Sequence, residues 1–223
     1  MIAAGPVRIA VVGDCLFDVS VRTHGTPAPG TDTPADVELL PGGQGANVAV
    51  RLARRGARVR LVTPMADDDA GSILRSRMHA EHVEVAALVA PRTGYVVALV
   101  DDAGERTMLS ARTSLPRGVT VRHEVKRQLV GTDWVHLCGQ SLTDPAGGGA
   151  VAAVAGALPP GVVRSADAGS PGADADTIQV LRDRVAASRV ALLFCGRDVA
   201  RAILGTTGRT AERAADGDTT ASM

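Results

Sequence analysis

Few residues in this chain have the types and spacing for chemistry, and the densest group is Gly42-Gly43-Gln44-Gly45-Ala46-Asn47. Two adjacent glycines let a backbone approach a ligand without a Cβ in the way, and they allow positive φ in a tight turn. A helix reads from about Gln44 to Arg55, so its unpaired N–H groups and positive dipole end face that turn. Asn47, in the first turn, offers one acceptor and two donors, a match for the vicinal hydroxyls of a sugar. A glycine-rich packing turn between loop and helix explains the same residues, and both readings stand at this point.

Other groups of reactive residues read more plainly as structure. Asp67, Asp68 and Asp69 have the composition of a metal cluster, but acidic residues opening a helix are the simpler account. His79 and His82 lie three apart without a cysteine or carboxylate at zinc spacing, and read as solvated. Cys15 reads as a small buried thiol, since no histidine adjoins it. Asp14 is either a second hydroxyl contact or a turn acceptor, with the turn favoured. Gly147-Gly148-Gly149 has no strand feeding into it, so it reads as a loose helix start and not as a dinucleotide fingerprint.

The elements that must hold these residues alternate. Val7–Gly13 is a short apolar run, as a buried parallel strand requires. Strands Phe17–Arg22 and Asp36–Leu40 flank a Gly/Pro/Thr-rich loop. Arg58–Thr63 is the next strand, followed by a helix from Asp67 to His82. Val83–Val89, Gly94–Val100 and Glu105–Ser110 follow as strands joined by turns, the last two as a β-hairpin. Then come helix 121–130, strand Trp134–Leu137, helix Asp144–Ala157 and strand Val162–Asp167. Helix Asp176–Ala187, strand Arg189–Phe194 and helix Asp198–Leu204 complete the pattern. Strands alternating with helices imply a parallel sheet covered on both faces. The antiparallel pieces near 17–40 and 94–110 should form a small separate sheet. Residues 206–223 lack apolar periodicity and read as a disordered tail.

Composition narrows the function. The 223 residues carry 24 basic and 24 acidic side chains, so no general attraction to nucleic acid or an anionic membrane is indicated. Only 2% are aromatic, which leaves few platforms for stacking bases. Three widely separated cysteines without CxxC spacing fit reduced thiols. With no leader and no membrane-length apolar run, the expectation is a soluble cytoplasmic protein.

Taken together, the motifs resemble the ribokinase or PfkB family of carbohydrate kinases. Gly13-Asp14-Cys15-Leu16-Phe17-Asp18 is similar to the family's first-strand exit, and GGQGAN at 42–47 to its GGxxxN element. Ala66-Asp67-Asp68-Asp69-Ala70-Gly71 resembles its GDDxxG segment, with Ala66 for the first glycine. Thr93-Gly94 and Gly104-Glu105-Arg106-Thr107, ahead of Arg112, resemble lid strands, and His136-Leu137-Cys138-Gly139 the next sheet strand. The resemblance covers about residues 7 to 205. It implies a three-layer α/β/α ribokinase-like domain over 1–205, with a mostly parallel sheet and a small β lid. It also implies ATP and Mg2+ as cofactors, a sugar substrate gripped by Asp18, Gly42, Gly43 and Asn47, and a possible homodimer through the lid.

Two departures qualify what is inherited. The family's NxxE, which organises metal and phosphate, corresponds to Cys195-Gly196-Arg197-Asp198 here, so no metal ligand is named. Its glycine-rich anion hole and catalytic Asp have no counterpart in these residues, so the C-terminal part reads as incomplete and no catalytic residue is named. A general base is worth roughly 10²–10⁴ in rate, and one anion-hole donor about 10²–10³. The expectation is therefore impaired phosphoryl transfer to a sugar, or a non-catalytic sugar- or partner-binding remnant.

Overall fold

The computed structural model describes residues 5–101, 103–169 and 174–205; the expected tail at 206–223 lies outside the described residues. Strand β1 (Arg8–Val12) alternates its side chains between two buried faces, Ala10 and Val12 against Val11. It lies near the centre of a six-stranded sheet with β4 (Arg58–Met65), β5 (Val83–Val89), β8 (Trp134–Leu137), β9 (Val163–Asp167) and β10 (Leu192–Phe194). The order is β10-β9-β8-β1-β4-β5, and every neighbouring pair is parallel.

Helices cover both faces, as an all-parallel sheet requires. Ala10, Val12, Val135 and Leu137 pack under α3 (Val119–Leu129), α5 (Gly148–Gly156) and α6 (Ala175–Ala187), through Val125, Val151 and Leu181. On the other face Val11, Val59 and Leu61 meet α1 (Gln44–Ala53) and α2 (Asp69–Ala80) through Ala49, Leu74 and Met78. Short helices α4 (Gly139–Thr143) and α7 (Arg197–Leu204) complete the set. Among the described residues no helix is long and apolar enough to cross a membrane.

A separate four-stranded sheet contains β2 (Leu16–Thr23), β3 (Ala35–Gly42), β6 (Gly94–Val100) and β7 (Arg106–Ala111), in the order β3-β2-β6-β7. The two hairpins β2–β3 and β6–β7 are antiparallel as expected, but β2 and β6 run parallel where they join. The chain passes through α1, β4, α2 and β5 between them, and a crossover of that length permits parallel pairing. Strand β5, grouped in sequence with the turn-linked strands, is instead the edge of the large sheet.

Two other expectations change. The helix expected over Asp144–Ala157 forms only from Gly148, as α5, and the separate short α4 ends at Thr143, because Asp144 precedes Pro145 and is extended, with φ −54 and ψ 123. Its carboxylate instead accepts from Ala146 N and Gly147 N at 2.8 and 2.7 Å. The strand expected from Arg189 starts only at Leu192, since Arg189 takes a left-handed conformation (φ 54) just after α6.

Candidate functional site

Each glycine of the GGQGAN run has a different steric reason. Gly43 is the N-cap of α1 at φ 97, and a Cβ there would stand 2.6 Å from the Asp14 carbonyl oxygen. Gly45 abuts Gly13 backbone to backbone, with a Cβ on it only 2.6 Å from Gly13 Cα. Gly42 lies under the carboxylate of Asp18, which occupies the space of its missing side chain. The loop after β1 and the start of α1 therefore interlock.

No side chain at Gly43 caps α1; Asp14 does so from the β1 exit. Its Oδ1 accepts from Gln44 N at 2.8 Å and from Gly45 N at 3.3 Å, and its backbone oxygen from Ala46 N at 3.0 Å. Its Oδ2 pairs with the Arg112 guanidinium, just beyond β7. Asp14 is thus a turn acceptor, the reading favoured from sequence, and also a tie to the small sheet.

The expected site residues fall in two places. Asp18, on β2 opposite Leu40 and Val96, is half-buried against Gly42. Burial raises its pKa above the ordinary carboxylate value; the nearby Arg112 and Arg106 pull it down and Asp14 pushes it up. Asn47 is exposed in the first turn of α1 and lines a cavity of about 720 Å³ between α1 and strands β8–β10. Gln44, Arg112 and Gln140 line the same cavity, whereas Asp18 does not. Arg112 connects the two places, since it lines the cavity and acts electrostatically on Asp18.

The acidic run is a helix start. Asp68 caps α2 through Gly71 N at 2.7 Å and also holds Thr93, the residue before β6, through its N–H at 3.0 Å and its hydroxyl at 2.6 Å. Asp67 is exposed and pairs with Arg75. His79 and His82 are exposed. Cys15 is buried, and burial followed by the charge of Asp14 pushes its thiol up to about 12, which leaves no thiolate for catalysis at neutral pH. At the start of α7, Asp198 is exposed with Arg201 at 3.9 Å, and Cys195 is exposed. One carboxylate and one thiol do not match the oxygen-rich octahedral set that Mg2+ takes.

Sequence reasoning missed the wall of the cavity formed by β8 and β9. His136 Nε2 lies 3.1 Å from Asp167 Oδ2, and Nδ1 lies 2.9 Å from Ser165 Oγ. Trp134 Nε1 donates to the same hydroxyl at 2.7 Å. The hydrophobic alternation around His136 marked a strand, but only the register with β9 brings Asp167 beside it.

A ribokinase-like α/β domain with a four-stranded lid over a glycine-rich helix start is the class that this fold and site define. The sequence profile described as "pfkB family carbohydrate kinase" matches residues 7–217, and the chain belongs to that family. It is 29% identical over 140 residues to the fructokinase of Salmonella typhimurium, an alignment covering 61% of this chain and 42% of the relative. It is 37% identical over 77 residues to the ribokinase of Bacillus subtilis, covering 34% of this chain and 26% of that one. Among solved structures, a PfkB family carbohydrate kinase from Listeria grayi superposes with a TM-score of 0.71 at 18% identity, covering 92% of this chain and 65% of that one. The ribokinase of Thermotoga maritima gives 0.61 at 19% identity, over 88% and 62% respectively. These likenesses show the fold, and the chain spans under two thirds of each of these relatives.

Proposed function

We propose that this chain is the sugar-gripping portion of a kinase that moves a phosphoryl group from ATP to a sugar hydroxyl. The observation that carries the reading is the interlocked start of α1, where Asp18 fills the space above Gly42 and Asn47 is exposed in the first helical turn that follows. The Asp18 carboxylate is an acceptor for a sugar O–H, and the Asn47 amide serves one hydroxyl as donor and its neighbour as acceptor. The first N–H groups of α1 are already taken by Asp14, so this helix start holds a polyol and not an anion. ATP with Mg2+ supplies the phosphoryl group in this family. The residues of α7 do not fit that metal, and no step is assigned to them.

Calorimetry with a panel of pentoses and hexoses tests the grip. One of them should bind, and Asn47→Ala should weaken it at least tenfold while leaving the melting temperature unchanged, because Asn47 is exposed. Binding to none of them removes the sugar reading. Sugar binding with no ATP turnover identifies the chain as a binding module.

The same reading includes a homodimer through the lid. Val37, Leu39, Met108 and Leu109 lie exposed on β3 and β7, the two edges of the small sheet, and open edges invite pairing. Light scattering should give twice the chain mass, and Leu39→Lys should return it to one.

A further inference from the structure

Strands β8 and β9 pair with His136 opposite Ser165 and Leu137 opposite Ala166, so one step further Cys138 stands across from Asp167. Side chains alternate along a strand, which puts His136, Cys138, Ser165 and Asp167 on one face. We propose that His136, Cys138 and Asp167 form a binding site for a thiophilic divalent transition metal, Zn2+ or an ion of its class. This is independent of the sugar reading.

The geometry suits such an ion. One ligand atom from each residue, a ring nitrogen, the thiol sulfur and a carboxylate oxygen, lies within 4.8 Å of the others. Tetrahedral coordination at typical zinc bond lengths separates neighbouring ligand atoms by about 3.3–3.6 Å. Drawing these three in requires shifts of roughly 1 Å or less by that measure, and His136 Nε2 and Asp167 Oδ2 are already 3.1 Å apart.

The surroundings orient the donors as metal sites do. Ser165 Oγ, 2.9 Å from His136 Nδ1, fixes the ring, and Trp134 Nε1 fixes that hydroxyl in turn. Gly139 N and Gly169 N donate to Asp167 Oδ1 at 2.9 and 2.8 Å, which leaves Oδ2 facing the histidine. Without metal, Ser165 O–H donates to Nδ1 and Nε2–H to Asp167. On binding, the ring proton resides on Nδ1, where Ser165 accepts it, and Nε2 gives its lone pair to the ion. The Cys138 thiol releases one proton per ion.

Donor softness decides which ion. A thiolate with an imidazole selects Zn2+ and its neighbours over Mg2+ or Ca2+. His136 and Asp167 line the 720 Å³ cavity while Cys138 is fully buried, so the ion enters from the cavity side and keeps one position there for water. Burial and the charges of Asp167 and Asp14 hold the thiol well above its ordinary range, so uptake should strengthen as pH rises.

The test is Co2+ titration of chelator-stripped, reduced protein, followed in the near-ultraviolet and visible. The expected result is one ion per chain with a thiolate-to-cobalt charge-transfer band and intense tetrahedral d–d bands, both removed by equimolar Zn2+. Cys138→Ser should abolish the charge-transfer band, and Ser165→Ala should weaken binding roughly 10–100-fold. His136→Gln is the second variant if Cys138→Ser does not fold, and it should weaken binding at least as much. Cys195→Ser should change nothing, since that thiol is exposed in the loop between β10 and α7. No band in the wild type, a band surviving Cys138→Ser, binding undiminished in His136→Gln, or a band lost with Cys195→Ser overturns the proposal.

Discussion

Helices α1 and α2 begin at the same end of the large sheet and on the same face, yet their first turns are closed in opposite ways. At α2 the cap is local: Asp68 accepts from Gly71 N three residues on. At α1 the residue in that place is Gly43, and the carboxylate comes from Asp14, 30 residues before Gln44. Both carboxylates also reach the lid, Asp68 to Thr93 at its entrance and Asp14 to Arg112 at its exit. A locally capped helix stands largely by itself. One capped from afar stands only when two segments fit, and the glycines are what let them fit.

That contrast predicts where the fold is most easily broken. Gly45→Ala puts a methyl 2.6 Å from the backbone of Gly13, where neither partner is a flexible side chain. The expected cost is about 3 kcal/mol or more, at the upper end of overpacking effects. Gly149→Ala, in α5 with open space around it, should instead stabilise by up to about 1 kcal/mol. Urea titrations of both variants measure the difference. If Gly45→Ala melts like the wild type, the two segments are not interlocked as described.

Cutting the local cap should cost less. Asp68→Ala removes one N-cap bond and leaves Thr93, 1% exposed, without its acceptor, for an expected loss of about 2 kcal/mol. Its pH dependence has a definite sign. Burial pushes the Asp68 pKa up, but the bonds from Thr93 and Gly71 outweigh it and hold the group below the ordinary carboxylate value. The native state therefore binds the proton less readily than the unfolded chain. This stability is complete above the unfolded value of about 3.9 and is lost as pH falls through the folded one. Asp68→Asn should flatten that acid limb in denaturant titrations between neutral pH and pH 2.

The same contrast explains what was legible in the sequence. Asp68, with its acidic neighbours and the apolar spacing of Leu74 and Met78, announced α2 because cap and helix are contiguous. Asp14 left two roles open, since nothing in a linear sequence says that the β1 exit meets the start of α1. The strands of the large sheet were readable from their apolar runs, and the place of Asn47 in the first turn of α1 from the glycines before it. The parallel junction of β2 with β6 was not, nor was the cluster of His136 with Asp167, because both depend on pairings between distant strands. Asp144-Pro145 is different in kind. The restriction that proline places on its predecessor was present in the sequence, and helical composition masked it.

Asp18 sharpens the comparison from the other side, with the smallest expected effect on stability. It belongs to the segment that α1 depends on, but burial raises its pKa where the bonds to Asp68 lower that one. The native state binds this proton more readily than the unfolded chain does, so Asp18 weakens the fold as pH rises through the raised value. Asp18→Asn should then be slightly more stable than the wild type at neutral pH while losing its affinity for sugar. That pairing is characteristic of a group kept for binding at the expense of stability. In the wild type, sugar affinity should fall on acidification with a midpoint above the ordinary value of about 3.9, since only the carboxylate is a full acceptor. Arg112→Gln should raise the midpoint further, because it removes a charge that pulls the pKa down. Calorimetry across pH 4 to 8 reads both shifts. A midpoint that does not move in Arg112→Gln would show that Arg112 serves only to fasten Asp14, and that the two carboxylates of this segment act apart.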